Sequence, residues 1–342
     1  MSAIDARALA AVDWVSALAP GTPVGALTAA SADASFRRYF RLNRPTETAL
    51  ILMDAPPPQE AVAPFVHLAK ALRQLGVHTP HIHAVCEQRG FVLMEDLGSV
   101  WLLERLQTAP DQAATLVWLR RAFGALMPLQ ANGQALAQTL ARYDAAVLLR
   151  EMRLMPEWFL GRHLKLELTA SEQTLIETTL ACICAHTVNQ PQGLVHRDFH
   201  SRNLMVLPNG ELGVIDFQDA LHGPLSYDWV SLLKDCYIRW PRAWVADWVA
   251  GFLDQWQQAG LLQEFTSAQW LAAIDWMGLQ RHLKVLGIFA RLNYRDGKAG
   301  YLADLPRVLA YVNEVLALYP ELAAFRAWWC ERVVSAFAAK LR

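Results

Sequence analysis

Hydrophobic positions change their spacing near residue 95. Before it, short apolar runs at 36–42, 49–53, 82–86 and 91–94 predict strands, with helices expected at 4–19 and 59–75. After Glu95-Asp96-Leu97-Gly98 the apolar positions recur at helical spacing. The pattern predicts an α+β protein with two lobes: a small, β-rich N-lobe (1–94), a hinge (95–98) and a larger, mostly helical C-lobe (99–342). Helices are expected at 99–107, 111–130, 133–150, 151–162 and 170–188.

One hairpin signal interrupts the helical part. Apolar runs at 204–207 and 212–215 flank the turn Pro208-Asn209-Gly210. Asn-Gly between β-prone residues favours a tight two-stranded turn. A hairpin returns the chain to its starting edge, so polar residues at its two ends can converge.

Those polar residues match the needs of phosphoryl transfer from ATP. Asp198 and Asn203 precede the first strand, and Asp216 follows the second. One carboxylate must accept the proton of the acceptor hydroxyl, while an amide oxygen and a second carboxylate hold Mg²⁺. Kinases arrange these groups as His-Arg-Asp-x4-Asn, followed by a strand that ends in Asp-Phe. We therefore predict Asp198 as the catalytic base and Asn203 and Asp216 as metal ligands.

Two other interpretations of this segment stay open. His196, Asp198 and His200 are spaced by two and would share one face of a strand, where they could bind zinc or iron in a metallohydrolase. That interpretation leaves Asn203 and Asp216 without a role. In the plainest interpretation the residues of the His-Arg-Asp-x4-Asn motif are a loop histidine, a turn aspartate and a capping asparagine.

A run of small residues at 28–35 lies at the start of the N-lobe. A turn there could cover phosphates with backbone N–H groups, which makes Asp33 and Ser35 candidate nucleotide contacts. An ordinary hairpin explains the run equally well, because no glycine lies between Gly25 and Gly76.

The strand at 49–53 lacks the phosphate-binding lysine that protein kinases place there. Arg37, Arg38 or Arg41 could supply that charge, and Arg41 is included in the predicted nucleotide site. Glu60 is expected in the first turn of the next helix. Without a partner lysine, no catalytic role is assigned to it.

The acceptor is expected to be small. A helix begins near Ser226, so residues 217–225 leave no room for a long peptide-holding loop. Further along, Arg281, Lys284 and Arg291 can align on one helix face. That face is either solvated or part of an acceptor site for an anionic or hydroxyl-rich molecule.

Composition excludes several classes of protein. The 342 residues are 54% hydrophobic and 18% charged with a net charge of −1, which argues against nucleic-acid binding through a basic field. Five scattered cysteines form no zinc motif and suggest reduced thiols in the cytoplasm. No signal peptide and no run of 18 apolar residues is recognisable, so we expect no membrane association. Nothing in the sequence indicates an obligate protein partner.

Residues 195–203 with Ile215-Asp216-Phe217 resemble the aminoglycoside phosphotransferase and choline kinase superfamily, whose usual motif is His-x-Asp-x-His-x-x-Asn. A narrower resemblance is to the bacterial anomeric sugar kinases of cell-wall recycling. It covers segments 34–41, 53–57, 196–203, 216–220 and 280–291.

This resemblance implies a protein-kinase-like two-lobed fold whose N-lobe binds the nucleotide. It also implies ATP- and Mg²⁺-dependent phosphorylation of N-acetylmuramate and N-acetylglucosamine at the C1 hydroxyl. It places Glu95 and Leu97 at the adenine hinge. The predicted sugar contacts are Asp198, Arg202, Arg281 and Lys284. The chain departs from the wider superfamily in the missing strand lysine and in Arg202, where glycine is common.

A basic acceptor site would suit the lactyl carboxylate of a muramate better than a polycationic aminoglycoside. Two alternatives remain: a kinase for another small acceptor (an aminoglycoside, choline or an amino-acid alcohol), and a catalytically silent nucleotide-binding protein.

Overall fold

The computed structural model describes residues 5–18, 26–32, 37–43 and 48–341. They divide into two compact units, 1–102 with 202–219, and 103–201 with 220–342. The predicted boundary at 95–98 is close to the end of the first segment. The hairpin at 202–219, expected in the C-lobe, groups instead with the N-terminal unit.

The N-terminal unit is built on a five-stranded antiparallel sheet in the order β1-β2-β3-β5-β4. Four of its strands occur where the apolar runs predict them, and the fifth, Ala26–Ala32, overlaps the run of small residues at 28–35 for which a turn was predicted. Its elements are α1 (Ala6–Leu18), β1 (Ala26–Ala32), β2 (Arg38–Asn43), β3 (Leu50–Asp54), α2 (Val62–Gln74), β4 (Ile82–Cys86) and β5 (Phe91–Glu95).

One face of this sheet packs against α1. Ala11 and Val15 of the helix lie in a buried cluster with Leu42, Leu52 and Leu93 of the strands. Because side chains alternate along a strand, the neighbouring positions of β2 point to the opposite face. One face of the sheet is therefore covered by α1, and the alternate positions of β2 lie on the face that α1 does not cover.

The predicted hairpin forms from β7 (Leu204–Val206) and β8 (Leu212–Val214). Gly210 occupies the left-handed region at φ 81°, as the tight turn requires. Val206 N–H donates to the Val100 carbonyl at 2.8 Å, and Val214 N–H donates to the His78 carbonyl at 2.8 Å. These bonds explain why the hairpin groups with the N-terminal unit.

The C-terminal unit is mostly helical, with one short sheet in which β6 (Gln192–Val195) pairs with β9 (Leu221–Pro224). The helix expected at 133–150 is interrupted, because Tyr143 N–H and the Ala141 carbonyl bond to His222 of β9 instead. The helices are α3 (Leu102–Gln107), α4 (Gln112–Asn132), α5 (Gln134–Ala137), α6 (Ala145–Met152), α7 (Ala170–Val188), α8 (Ser226–Leu233), α9 (Arg242–Gln258), α10 (Ser267–Asp296), α11 (Leu305–Leu316), α12 (Ala323–Trp328) and α13 (Ser335–Lys340), with π-helices at Met155–His163 and Trp329–Val334 and 3₁₀ turns at Ala299–Asp304 and Pro320–Leu322.

The central element of this unit is α10, a helix of 30 residues. Thr266 and Gln269 form a capping box at its start, and Gly297 ends it in the left-handed conformation at φ 69°. It packs against α6, α7, α8, α9 and α11. Every residue from Ala273 to Gly287 is buried, so this stretch of the helix is enclosed on all sides.

No single helix in the described part of the chain has the length and apolarity to cross a membrane. One bent pair, Ala299–Leu316 with Pro320–Lys340 at 115°, meets those limits by length and composition together.

Asp275 joins four elements of the C-terminal unit. The fully buried carboxylate accepts hydrogen bonds from Lys234 at 2.5 Å, Arg242 at 2.6 and 2.9 Å, and Tyr319 at 2.9 Å. Burial alone would raise the pKa of Asp275, but Arg242 and Lys234 hold that pKa below its ordinary value. The stabilisation is therefore present at neutral pH and is lost as pH falls through this lowered pKa.

We expect Asp275→Ala to lower the free energy of unfolding by about 3–5 kcal/mol, because it leaves the ammonium of Lys234 buried without its carboxylate. Urea unfolding at pH 7 measures this loss. Asp254→Ala, on the exposed side of α9, is the matched control and should change stability by less than about 0.5 kcal/mol. Equal effects of the two substitutions would contradict this account.

Candidate functional site

The segment from His196 to Ser201 follows β6 and leaves the regular sheet. Its backbone is anchored by Asp228, a fully buried residue in the first turn of α8. The Asp228 carboxylate accepts the N–H groups of His196 at 2.8 Å and Arg197 at 3.0 Å. Burial raises the pKa of Asp228 to about 7, against the opposing effect of these two amides. These two hydrogen bonds therefore fix the first two residues of the segment.

Asp235, just after α8, anchors the other end of the segment. Its carboxylate accepts the Ser201 N–H at 3.0 Å and also the Ser201 hydroxyl. A second oxygen accepts the N–H of Tyr237 at 3.0 Å, and the Tyr237 ring meets His200 edge-on at 5.4 Å between centroids. Two carboxylates seven positions apart therefore hold both ends of the predicted catalytic loop.

Asp198 lies between these anchors with its side chain 38% exposed. Arg281 Nη2 is 3.3 Å from Asp198 Oδ1. Desolvation alone would raise the pKa of Asp198, but the positive charges of Arg281, His200 and Lys284 outweigh it and hold the pKa well below its usual range. The carboxylate is therefore ionised at neutral pH and accessible from solvent.

Arg281 and Lys284 do not form a solvated face. They are only 5% and 6% exposed, and both donate to the Tyr227 hydroxyl, at 2.8 and 3.0 Å. Lys284 also pairs with Glu151 at 3.0 Å, and Glu151 pairs with Arg197 at 2.6 Å. The interpretation as a solvated helix face is wrong for these two residues, which belong to a buried ionic network behind the loop.

The network also supports an unusual backbone conformation. Arg197 has φ 78°, a region that residues with a side chain seldom adopt. Its N–H is held by Asp228 at 3.0 Å, and its carbonyl accepts from Arg281 at 3.0 Å. These two bonds fix the peptide groups on both sides of Arg197, and with them the direction in which Asp198 projects.

The two predicted metal ligands lie together in the N-terminal unit. Asn203 precedes β7 and Asp216 follows β8, and Asn203 Nδ2 lies 3.1 Å from Asp216 Oδ2. Ile215 N–H donates to the Asn203 carbonyl at 3.1 Å and Gln218 donates to Asp216 Oδ1 at 2.6 Å. The hairpin therefore brings Asn203 and Asp216 side by side, as the sequence predicts, while Asp198 belongs to the C-terminal unit.

This pair fits a magnesium ion by its chemistry. Mg²⁺ prefers oxygen ligands and is usually held by one or two carboxylates together with phosphate oxygens and water. Rotation of the Asn203 amide would present its oxygen beside the Asp216 carboxylate. In the described residues, no three His, Cys, Asp or Glu side chains are grouped to hold a metal. The metallohydrolase interpretation of His196, Asp198 and His200 therefore lacks its ligand set.

The predicted nucleotide contacts stay predictions, and the structure shows the surroundings of three of them. Asp33 and Ser35 lie outside the described residues. Arg41 binds Asp96 through two hydrogen bonds of 2.5 and 3.0 Å and donates to the Gly98 carbonyl at 2.9 Å. It thereby ties β2 to the predicted hinge, and its contact with nucleotide stays a prediction.

At the hinge itself, the Glu95 side chain is bound to Arg73, His78 and the His81 N–H. The Glu95 N–H also donates to the His81 carbonyl at 2.8 Å, and contact of Glu95 with adenine stays a prediction. Leu97 is buried and packs on Gly213 of β8, where an added Cβ would lie 2.7 Å from Leu97 Cδ1.

Arg202 is half-buried and directly precedes Asn203. Its contact with sugar stays a prediction.

Sequence reasoning missed four residues that hold the predicted catalytic loop or the ionic network behind it. Asp228 and Asp235 stand in an otherwise apolar helical segment, and a charge in such a segment is a signal that it has a buried partner. Glu151 and Tyr227 carry no comparable signal, because their partners lie far away in the sequence.

Comparison with known proteins identifies the family of this chain. Residues 26–271 match the model of the phosphotransferase enzyme family. The N-acetylmuramate/N-acetylglucosamine kinase of Pseudomonas putida is 44% identical over 88% of this chain and 86% of its own. The protein of that name from Neisseria meningitidis serogroup B is 41% identical over 90% of each chain.

Among solved structures, the ADP-bound aminoglycoside phosphotransferase APH(2'')-Ib has a TM-score of 0.59, with 16% identity over 90% of this chain and 98% of that one. This likeness confirms the predicted kinase-like α+β fold with a small β-rich N-lobe and a larger helical C-lobe. The chain belongs to the phosphotransferase enzyme family, and it is a small-molecule kinase.

Proposed function

We propose that this chain transfers the γ-phosphoryl group of ATP to the C1 hydroxyl of N-acetylmuramate and N-acetylglucosamine. The observation that carries the proposal is the 44% identity, over 88% of the chain, with a relative named as the kinase of these two sugars. A role in peptidoglycan recycling is consistent with those substrates. The ADP in a structural neighbour supports a nucleotide as the donor.

Asp198 is the proposed base. In the transfer, the sugar oxygen forms a bond to the γ-phosphorus, the bond from that phosphorus to the β,γ-bridging oxygen breaks, and ADP leaves. The hydroxyl proton passes to Asp198, which is ionised and 38% exposed. The fixed peptide groups around Arg197 orient this carboxylate.

Asn203 and Asp216 are the proposed ligands of Mg²⁺. The ion, when bound, neutralises phosphate charge during transfer. Asp216 has φ 63° and its carboxylate is held by Asn203 and Gln218, so the pair is already ordered by the hairpin.

The connection between Asp216 and α8 is short, which is consistent with a small acceptor. Part of that short connection forms β9, which pairs with β6. No segment there is long enough to hold a peptide. This favours a sugar over a protein substrate.

The direct contact of Arg281 and Lys284 with a sugar carboxylate remains a prediction from the sequence. Their contacts with Asp198, Tyr227 and Glu151 support a second role, in which they position the catalytic loop.

The first expected outcome is phosphate transfer itself. Incubation with Mg-ATP should give a sugar-1-phosphate signal in phosphorus NMR with N-acetylmuramate and N-acetylglucosamine, and none with kanamycin. Asp198→Asn should lower turnover at least ~100-fold while leaving the Kd for ATP within about twofold, because it removes the proton acceptor and keeps the shape. Signal with kanamycin alone would assign a different acceptor, and near-normal turnover of Asp198→Asn would refute the assigned base.

A titration with Mg²⁺ should distinguish the role of the proposed metal ligands from that of the proposed base. Asp216→Asn should raise the Mg²⁺ concentration needed for half-maximal turnover by about tenfold or more, because one charged ligand becomes neutral. Glu211→Gln, on the exposed turn of the same hairpin, is the matched control and should leave this concentration unchanged. An unchanged Mg²⁺ requirement in Asp216→Asn would argue against its role as a ligand.

The Arg281–Asp198 contact should appear in the pH dependence of the rate. Arg281 lowers the pKa of Asp198, so Arg281→Met should raise that pKa and move the acidic limb of the kcat/KM profile to higher pH. kcat should fall by a similar factor for both sugars, and Arg281→Lys should restore part of the shift. An effect confined to the KM for N-acetylmuramate, with an unmoved acidic limb, would instead support direct binding of the lactyl carboxylate.

A further inference from the structure

The N-terminal unit contains a cation that can replace the absent strand lysine. In protein kinases a lysine on the third strand reaches the phosphates and is held by a glutamate of the adjacent helix. In this chain β3 reads Leu-Ile-Leu-Met-Asp and carries no cation. Three arginines at the start of β2 and within it are the nearest candidates by sequence.

Two of these arginines have structural duties. Arg38 pairs with Asp5 and with the fully buried Asp54, and Asp54 is shared with Arg7 at 2.5 Å. This cluster joins the start of α1 to the end of β3. Arg41 is committed to the Asp96 carboxylate, through two hydrogen bonds, and to a hinge carbonyl.

Arg37 has different surroundings. Its Nη2 donates to Glu60 Oε2 at 2.9 Å, and the two side chains are 12% and 17% exposed. Glu60 lies just before α2, not in its first turn as the sequence predicted. A guanidinium carries five N–H donors in a planar fork that matches the geometry of phosphate oxygens.

Arg37 also lies on the suitable side of the sheet. Phe40 and Leu42 of β2 pack toward α1, and alternation places Arg37 with the opposite set of side chains. On that side its guanidinium lies over the ring of Phe65 in α2, 5.9 Å from the centroid. The side chain is thus held by α2 through both charge and ring contact.

An aromatic pair connects this position to the metal ligands. Phe65 stacks on Phe217 with centroids 5.0 Å apart and planes at 27°, and Phe217 directly follows Asp216. Both rings are buried. The contacts therefore run without a break from Arg37 and Glu60 through the two rings to the segment that bears Asp216.

From these contacts we propose that Arg37, held by Glu60 and Phe65, is the phosphate-binding cation of the nucleotide site. Its guanidinium binds the non-transferred phosphates of ATP, while Asp216 and Asn203 bind the metal. The inference deepens the proposed function and rests on its assignment of ATP as the donor.

The test compares binding of Mg-ATP with binding of adenosine, which lacks phosphates. Arg37→Met should raise the Kd for Mg-ATP at least tenfold by isothermal titration calorimetry and leave adenosine binding, followed by ligand-observed NMR, within twofold. Arg37→Lys should recover most of the lost affinity, because it restores the charge. Lys70→Met, on the exposed side of α2, is the matched control and should bind Mg-ATP normally.

Glu60→Gln keeps Arg37 and removes the charge that holds it. It should raise the Kd for Mg-ATP by a smaller factor, about three- to tenfold, and it provides the decisive variant if Arg37→Met does not fold. Unchanged Mg-ATP affinity in Arg37→Met or in Glu60→Gln, or an equal loss of adenosine and ATP binding, would overturn the inference. Sugar-1-phosphate formation by the wild-type protein alongside such a result would leave the proposed function intact. Absence of Mg-ATP binding by the wild-type protein would overturn both.

Discussion

The proposed catalytic loop, His196 to Ser201, is largely buried and lies outside any helix or strand, so its N–H groups must still find acceptors. Asp228 and Asp235 supply them, taking the amides of His196 and Arg197 at one end and of Ser201 at the other. An unsatisfied buried donor costs about 1–3 kcal/mol, so these bonds decide which loop conformation is stable. Both carboxylates belong to α8 or to the residues just after it. That short, fully buried helix and the residues just after it therefore determine the position of Asp198, the proposed base.

The charges behind the loop have a consequence for catalysis. Arg281 and Lys284 lower the pKa of Asp198, so they keep this proposed base ionised but also make it a weak one. A weak base is adequate for phosphoryl transfer, because the transition state is loose and bond formation to the acceptor oxygen is limited. Orientation of the hydroxyl then matters more than early removal of its proton. The anchored peptide groups around Arg197 fix the position of Asp198, the residue proposed to orient that hydroxyl, at the cost of a strained backbone.

How well each feature was predicted depends on how local its cause is. The hairpin and the proximity of Asn203 and Asp216 follow from a turn and two short apolar runs, and the structure has both. The role of Glu151 depends on Arg197, 46 positions away, so no local pattern reveals it. Arg281 was placed on a basic face by helical spacing. That argument fails for α10, because a helix buried on all sides has no polar face to identify.

The alternation of side chains between the two faces of β2 explains how one arginine-rich segment can serve two purposes. Arg38 lies on the side of α1 and, with Arg7, neutralises the buried Asp54, so it is needed to hold the helix on the sheet. Arg37 and Arg41 lie on the opposite side and meet Glu60 and Asp96. A lysine on β3 would be unnecessary here if a longer, forked side chain reaches the phosphates from the neighbouring strand. The pairing of Arg37 with the Glu60 carboxylate at 2.9 Å is the physical reason to expect a cation at this position.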